Sequence, residues 1–163
     1  MVEDLALALG ERLKGIAADK IVFVGVGNRY RGDDAIGPIL IDLLAGKVPH
    51  VIDAGSTPEN FTGAIKRLEP RAIVFLDALL FKDAKPGDAF VIESGEILTE
   101  GSSHMLSIDL VMDYLREDTG AEIFMVGVQP GQISDHEGLS SGMVECLNQI
   151  VLIILTTVGS LAW

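Results

Sequence analysis

Cysteine, positive charge and long apolar runs are all scarce in this chain, and each scarcity closes off a class of protein. The single cysteine, Cys146, has no partner for an internal disulfide, which points to a reducing cytoplasm. Lysine and arginine number 12 against 24 aspartates and glutamates, a formal net charge of −12. Nucleic acid and anionic membrane surfaces repel such a chain, so neither is expected as a partner. The most apolar run, Ile150 to Leu155, falls far short of the roughly 20 residues that span a bilayer. It reads as a core helix, with a subunit contact as the alternative, and no stable membrane insertion is expected. The N-terminus lacks an apolar core followed by a small-residue cleavage site, so no secretion signal is expected. There is no G-x-S-x-G elbow, no H-E-x-x-H pair and no Cys/His cluster, which argues against a serine hydrolase or a resident zinc of the familiar types. Cys146 has no histidine near it in sequence and reads as core.

What is present centres on Ile21 to Gly37. An apolar run of strand length ends in Gly25 and Gly27, passes through the polar loop Asn28 to Gly32, and re-enters a helical pattern; this is strand, loop, helix. Gly25-Val-Gly27 supplies two glycines of a dinucleotide fingerprint, but Tyr30 stands at the third position, and Asp33 and Asp34 would face the pyrophosphate. A loop presenting carboxylates instead suits cations or protons.

At 163 residues with 48% hydrophobic content, the chain fits one domain, with no repeat, linker or low-complexity tract. Leu5, Leu9, Leu13 and Ile16 mark an amphipathic N-terminal helix. Ile36, Leu40, Leu43 and Leu44 mark a second that ends near Gly46, where glycine suits a cap. Val51-Ile52 leads as a short strand into the turn from Asp53 to Pro58. A helix follows over Glu59 to Leu68, with Pro58 at its first position and Thr57 as a possible cap. Ala72 to Leu76 reads as a strand covered on both faces and ends on Asp77. Ala89 to Ile92 is a short strand too close in sequence for a crossover helix, so antiparallel or at an edge. Ser102 or Ser103 can cap a helix that places His104 in its first turn. Ile123 to Val126 is the last strand, running into Gln129, and the pattern is helical from about Ser141. This alternation predicts a mainly parallel sheet of about five strands with helices on both faces.

Parallel strands bring their C-terminal ends to one rim, where ligands bind in open α/β sheets. Asp33, Asp34, Asp53 and Asp77 are expected there, with His104 and Gln129 within reach. Each has a bland explanation. Asp34 in a helix's first turn is favoured by the macrodipole, Asp53 precedes a glycine turn, and a lone histidine at a helix start is usually solvated. Asp77 is the least ordinary, because a carboxylate ending a buried strand must be paired, protonated or liganded. Two carboxylates and an imidazole together make a divalent-metal site.

The loop Gly27-Asn28-x-x-x-Gly32-Asp33-Asp34-x-x-Gly37, then Asp53-x-Gly55-Ser-x-Pro58-Glu59, the strand ending Asp77-Ala78, Ser102-Ser-His104 and Gly127-Val-Gln129-Pro130 occur in this order. As a set, over about residues 21 to 150, they resemble the [NiFe] hydrogenase maturation endopeptidases. The chain is most similar to the branch that processes the large subunit of the membrane-bound, hydrogen-evolving (hydrogenase 3) type. The resemblance implies a three-layer α/β/α sandwich and a cytoplasmic endopeptidase. Such an enzyme removes the C-terminal extension of the large-subunit precursor after nickel insertion. It recognises the nickel through Asp34, Asp77 and His104, with Asp33 the alternative to Asp34 if the loop register differs by one. Asp53 is implied in substrate binding or water activation, and Asn28, Asp33 and Gln129 in substrate contact. Nickel would come with the precursor, with no metal permanently bound. The helix before Asp19 is an extension the motif does not require, within a single domain 1–163. A nickel-binding maturation chaperone without cleavage and a small metallohydrolase stand as the alternatives.

Overall fold

The structure, a computed structural model, describes residues 2–96 and 103–159, with side chains for 4–96 and 107–159. Five strands, β1 (Ile21–Val26), β2 (Val51–Gly55), β3 (Ala72–Ala78), β4 (Ala89–Ile92) and β5 (Glu122–Val128), form one sheet in the order β2-β1-β3-β5-β4. All neighbours are parallel except β4, which runs antiparallel to β5 at the edge. The central strands β1 and β3 are buried along their whole length, the continuous apolar pattern that a doubly covered parallel sheet requires.

Alternation of side chains divides the core in two. One face of the sheet, with Phe23, Val74, Leu76 and Phe124, packs against helices α1 (Val2–Leu13), α2 (Ile36–Leu44) and α5 (Met143–Gly159) through Leu5, Leu9, Leu40, Leu147 and Ile154. The other, with Val22, Ile73, Phe75 and Met125, packs against α3 (Thr62–Arg67) and α4 (Ser103–Thr119) through Ile65, Ile108, Met112 and Leu115. The result is the expected three-layer α/β/α sandwich.

One local expectation is corrected. The helix expected over Glu59 to Leu68 is a 3₁₀ turn at Pro58–Phe61 followed by the six-residue α3, and Thr57 makes no side-chain cap. The strand expected to end at Asp77-Ala78 does so, with Asp77 opposite Gly127 of β5. The cap expected from Ser102 or Ser103 lies outside the described residues. Gly46 does follow α2 in the left-handed region, φ +79°, as a glycine terminator should.

The glycines of the central loop exist for contact. A side chain at Gly37 would run into the carbonyl oxygens of Val26 and Leu76, and one at Gly27, φ +142°, into the carbonyl oxygen of Asp34. Helix α2 therefore starts directly against the ends of β1 and β3, which places the turn before it on the rim. Gly37→Ala is expected to lower stability by about 3 kcal/mol, because rigid backbone and not a flexible side chain must yield; urea unfolding measures it, and a loss under about 1 kcal/mol would contradict the close approach.

Candidate active site

The two adjacent acids of the central loop, identical in chemistry, have different environments. Both fall in a 3₁₀ turn, Gly32–Ala35, that precedes α2. Asp33, expected to touch substrate, is instead fully buried. Its Oδ2 accepts hydrogen bonds from the backbone N–H of Gly131 (2.7 Å) and Gln132 (3.0 Å) and from the Ser140 hydroxyl (2.5 Å), and its Oδ1 accepts from the Ser140 N–H (2.7 Å). Burial alone pushes the Asp33 carboxyl up, but these donors from Ser140, Gln132 and Gly131 outweigh it and hold it below the usual carboxylate range. Asp33 is thus an anchor for the loop between β5 and α5, and both its oxygens are occupied. Asp34 is half-buried, and its Oδ2 accepts from the Asn28 N–H at 3.1 Å.

Asp77 is fully buried. Alternation along β3 carries it to the face of Ile73 and Phe75, the one covered by α3 and α4. Helix α4 ends at Thr119, three residues before β5 begins. Its 17 residues run about 25 Å, enough to return its first turn to the C-terminal rim. There the Ser107 hydroxyl donates to Glu59 at 2.8 Å, tying α4 to the turn that follows β2. His104 belongs to that first turn; its side chain lies outside the described residues. Among the described residues no three histidine, cysteine or acidic side chains form a cluster able to hold a metal.

Asp53 reaches the same rim from the opposite face. Its Oδ2 is bound by Arg29 at 2.7 Å, while Arg29 also grips Asp42 of α2 through two bonds of 2.6 and 2.9 Å. Asp42, and after it Asp53, hold the Arg29 guanidinium above its ordinary value, and Arg29 in turn lowers the Asp42 carboxyl. Asp53 is therefore ion-paired, with Gly55 N–H donating to its other oxygen at 3.0 Å. A hollow of about 280 Å³ lies between it and Tyr30, floored by Gly27 and Gly55. The side-chain oxygens of the remaining expected substrate contacts are already bonded to nearby backbone. Asn28 Oδ1 accepts from the Tyr30 N–H at 2.9 Å and Gln129 Oε1 from the Phe81 N–H at 2.7 Å. Cys146, read as core, is half-buried against Gly87 on the α5 side of the sheet.

Sequence reasoning missed Ser140 and Arg29. Ser140 lies 107 residues from Asp33 and no local pattern announces it; the signal for Arg29 was a cation, one of two in the loop, close in sequence to the rim acids.

A parallel α/β/α sheet with carboxylates at its C-terminal rim is a framework for hydrolytic chemistry, and the comparisons with known proteins agree. A model of the hydrogenase maturation protease family matches residues 44–157, a span holding Asp53, Asp77, His104 and Gln129 but not the Asp33-Asp34 loop. The hydrogenase 3 maturation protease of Escherichia coli (strain K12) is 35% identical over 114 residues, 67% of this chain and 72% of that protein. The crystal structure of a [NiFe] hydrogenase maturation protease, HycI, from Thermococcus kodakarensis KOD1 superposes with a TM-score of 0.83 at 30% identity, covering 94% of this chain and 99% of that one. The solution structure of an endopeptidase HycI from Escherichia coli superposes at 0.72 with 27% identity over 88% and 95% of the two chains. The fold is that of the hydrogenase maturation endopeptidases. This chain belongs to the hydrogenase maturation protease family.

The Asp33 anchor has a measurable signature. Its folded carboxyl titrates below the unfolded value of about 3.8, so its stabilisation is complete above that pH and fades as pH falls through the folded value. Asp33→Asn turns an amide donor toward donors and should lose about 3 kcal/mol at neutral pH. The gap to wild type in urea unfolding should narrow below pH 3.8; a gap constant down to pH 2 would contradict the assignment.

Proposed function

We propose that this endopeptidase removes the C-terminal extension of a [NiFe] hydrogenase large-subunit precursor once nickel has been inserted, and that it reads the nickel through Asp34, Asp77 and His104. The observation that carries the reading is the rim itself. A half-buried carboxylate on the β1–α2 turn and a buried one in β3 sit at the same end of the sheet as the first turn of α4. Two carboxylate oxygens and an imidazole suit a divalent ion of intermediate softness, yet they do not close a tetrahedral or octahedral shell. The remaining ligands come from the precursor, so the metal arrives as part of the substrate and none stays with the enzyme afterwards. Binding thereby reports that insertion has occurred.

Cleavage itself calls for little else. Water attacks the scissile carbonyl carbon, a carboxylate of the rim receives the proton, and that proton passes to the leaving nitrogen as the C–N bond breaks. Cys146 does not compete as a nucleophile, being packed across the sheet from Asp77. No helix among the described residues is long and apolar enough to cross a membrane, consistent with a precursor met in the cytoplasm.

The test compares nickel-loaded with nickel-free precursor in the presence of the purified enzyme, alongside its metal content. Only the loaded precursor should be shortened, and the isolated enzyme should hold far less than one metal per chain. Asp34→Ala, Asp77→Asn and His104→Ala should each lower cleavage by at least about 100-fold with unchanged circular dichroism. Equal cutting of both precursors, or full activity in any two variants, would overturn the nickel-reading site.

A further inference from the structure

Three polar residues at the rim share a pattern. Asn28 is bonded to the N–H of Tyr30, Gln129 to that of Phe81, and Asp33 to those of Gly131 and Gln132. Each bond fixes a segment leaving the C-terminal end of one of the adjacent strands β1, β3 and β5. At or beside each fixed N–H stands a large apolar side chain turned to solvent: Tyr30 at 67% exposure, Leu80 at 53% and Ile133 at 41%. Left slack, such loops would fold these side chains back onto the protein. Side-chain tethers instead hold the backbone in place and leave the apolar groups outside.

We propose that Tyr30, Leu80 and Ile133 form the docking surface for an apolar stretch of the precursor next to the bond that is cut, and that Asn28, Gln129 and Asp33 are positioning residues that present it. The inference rests on the proposed function and adds to it how the peptide is held. Its occupant follows from continuity with the site. Tyr30 shares a loop with Asp34, whose oxygen is bonded to the same Asn28 whose side chain holds Tyr30, and Leu80 is three residues beyond Asp77. A peptide lying along these three loops passes the turn that carries Asp34 and the end of the strand that carries Asp77. Charge argues in the same direction. Of the two cations flanking Tyr30, Arg29 is held by Asp42 and Asp53 and Arg31 stands 3.8 Å from Asp135, so this flank carries no net positive charge. The hollow of about 280 Å³ between Tyr30 and Asp53 accepts a side chain of the bound segment. Rigid, exposed apolar anchors raise affinity because little ordering remains to be done on binding.

Steady-state cleavage of nickel-loaded precursor, with direct binding of the same precursor by calorimetry, tests this. Tyr30→Ala, Leu80→Ala and Ile133→Ala should each raise KM and Kd about 10-fold with kcat within about twofold. Leu7→Ala on the outer face of α1, 67% exposed, should match wild type. Gln129→Met should reproduce the KM of Leu80→Ala, and the double variant should be no worse than either, the non-additivity of a residue acting through another. Unchanged KM and Kd in the three alanine variants, beside an active wild type, would overturn the docking surface and leave the proposed function standing. A fall in kcat alone would also overturn it, by assigning these residues to the chemistry. Failure of the wild type to bind or cut the precursor would overturn the function and this inference with it.

Discussion

One buried carboxylate organises the rim. Moving an anion such as that of Asp33 out of water costs several kcal/mol unless hydrogen bonds replace the solvent, and four donors from Gly131, Gln132 and Ser140 do so. The backbone joins in: Gly32 N–H donates to His136 and Asp33 N–H to Gln132. These bonds tie the loop after β1 to the loop after β5 across the top of β3. Because the donors are useless without the acceptor and the acceptor is costly without the donors, the arrangement is cooperative. Asp34, the next residue, inherits its position.

Close packing of backbone does the rest. With no side chain at Gly27 or Gly37, α2 begins against the carbonyl ends of β1 and β3, so an acid one turn earlier cannot retreat from the rim. The same contact orders the neighbouring Arg29, which bridges α2 to β2 through Asp42 and Asp53. Active-site precision here comes from glycine and ion pairing around the sheet ends, while the bulk of the stability comes from the two apolar layers.

This division explains what could be read from the residues in order. Strands β1, β3 and β5 were legible because burial on both faces leaves an unbroken apolar run, and the antiparallel β4 because too few residues separate it from β3 to cross over. The site was legible as a set of residue types at a sheet rim. Roles within it were not: Asp33 and Asp34 are the same residue one position apart, and what separates them is Ser140, 107 residues away. Asn28 and Gln129 carry the right chemistry for peptide contact, and only the fold reveals that a nearby backbone N–H already occupies each side-chain oxygen. The split of the helix after Pro58 was hidden too, since it depends on geometry at Thr57 and Phe61 that proline and spacing do not specify.

Helix α1 lies outside the motif and outside residues 44–157 that the family model matches, yet Leu5, Leu9 and Leu13 are buried in the same layer as α5. Arg12 stacks over the Phe124 ring at 4.6 Å and is paired with both Glu93 and Glu122, so the helix is stitched to β5 and to the end of β4. The stretch that the family model matches and the unit that folds together therefore do not coincide in this chain. A gene trimmed to residues 44–157 would lack β1, one of the two strands buried along their whole length, and trimming only the first helix would still uncover the part of one core face that Leu5, Leu9 and Leu13 cover.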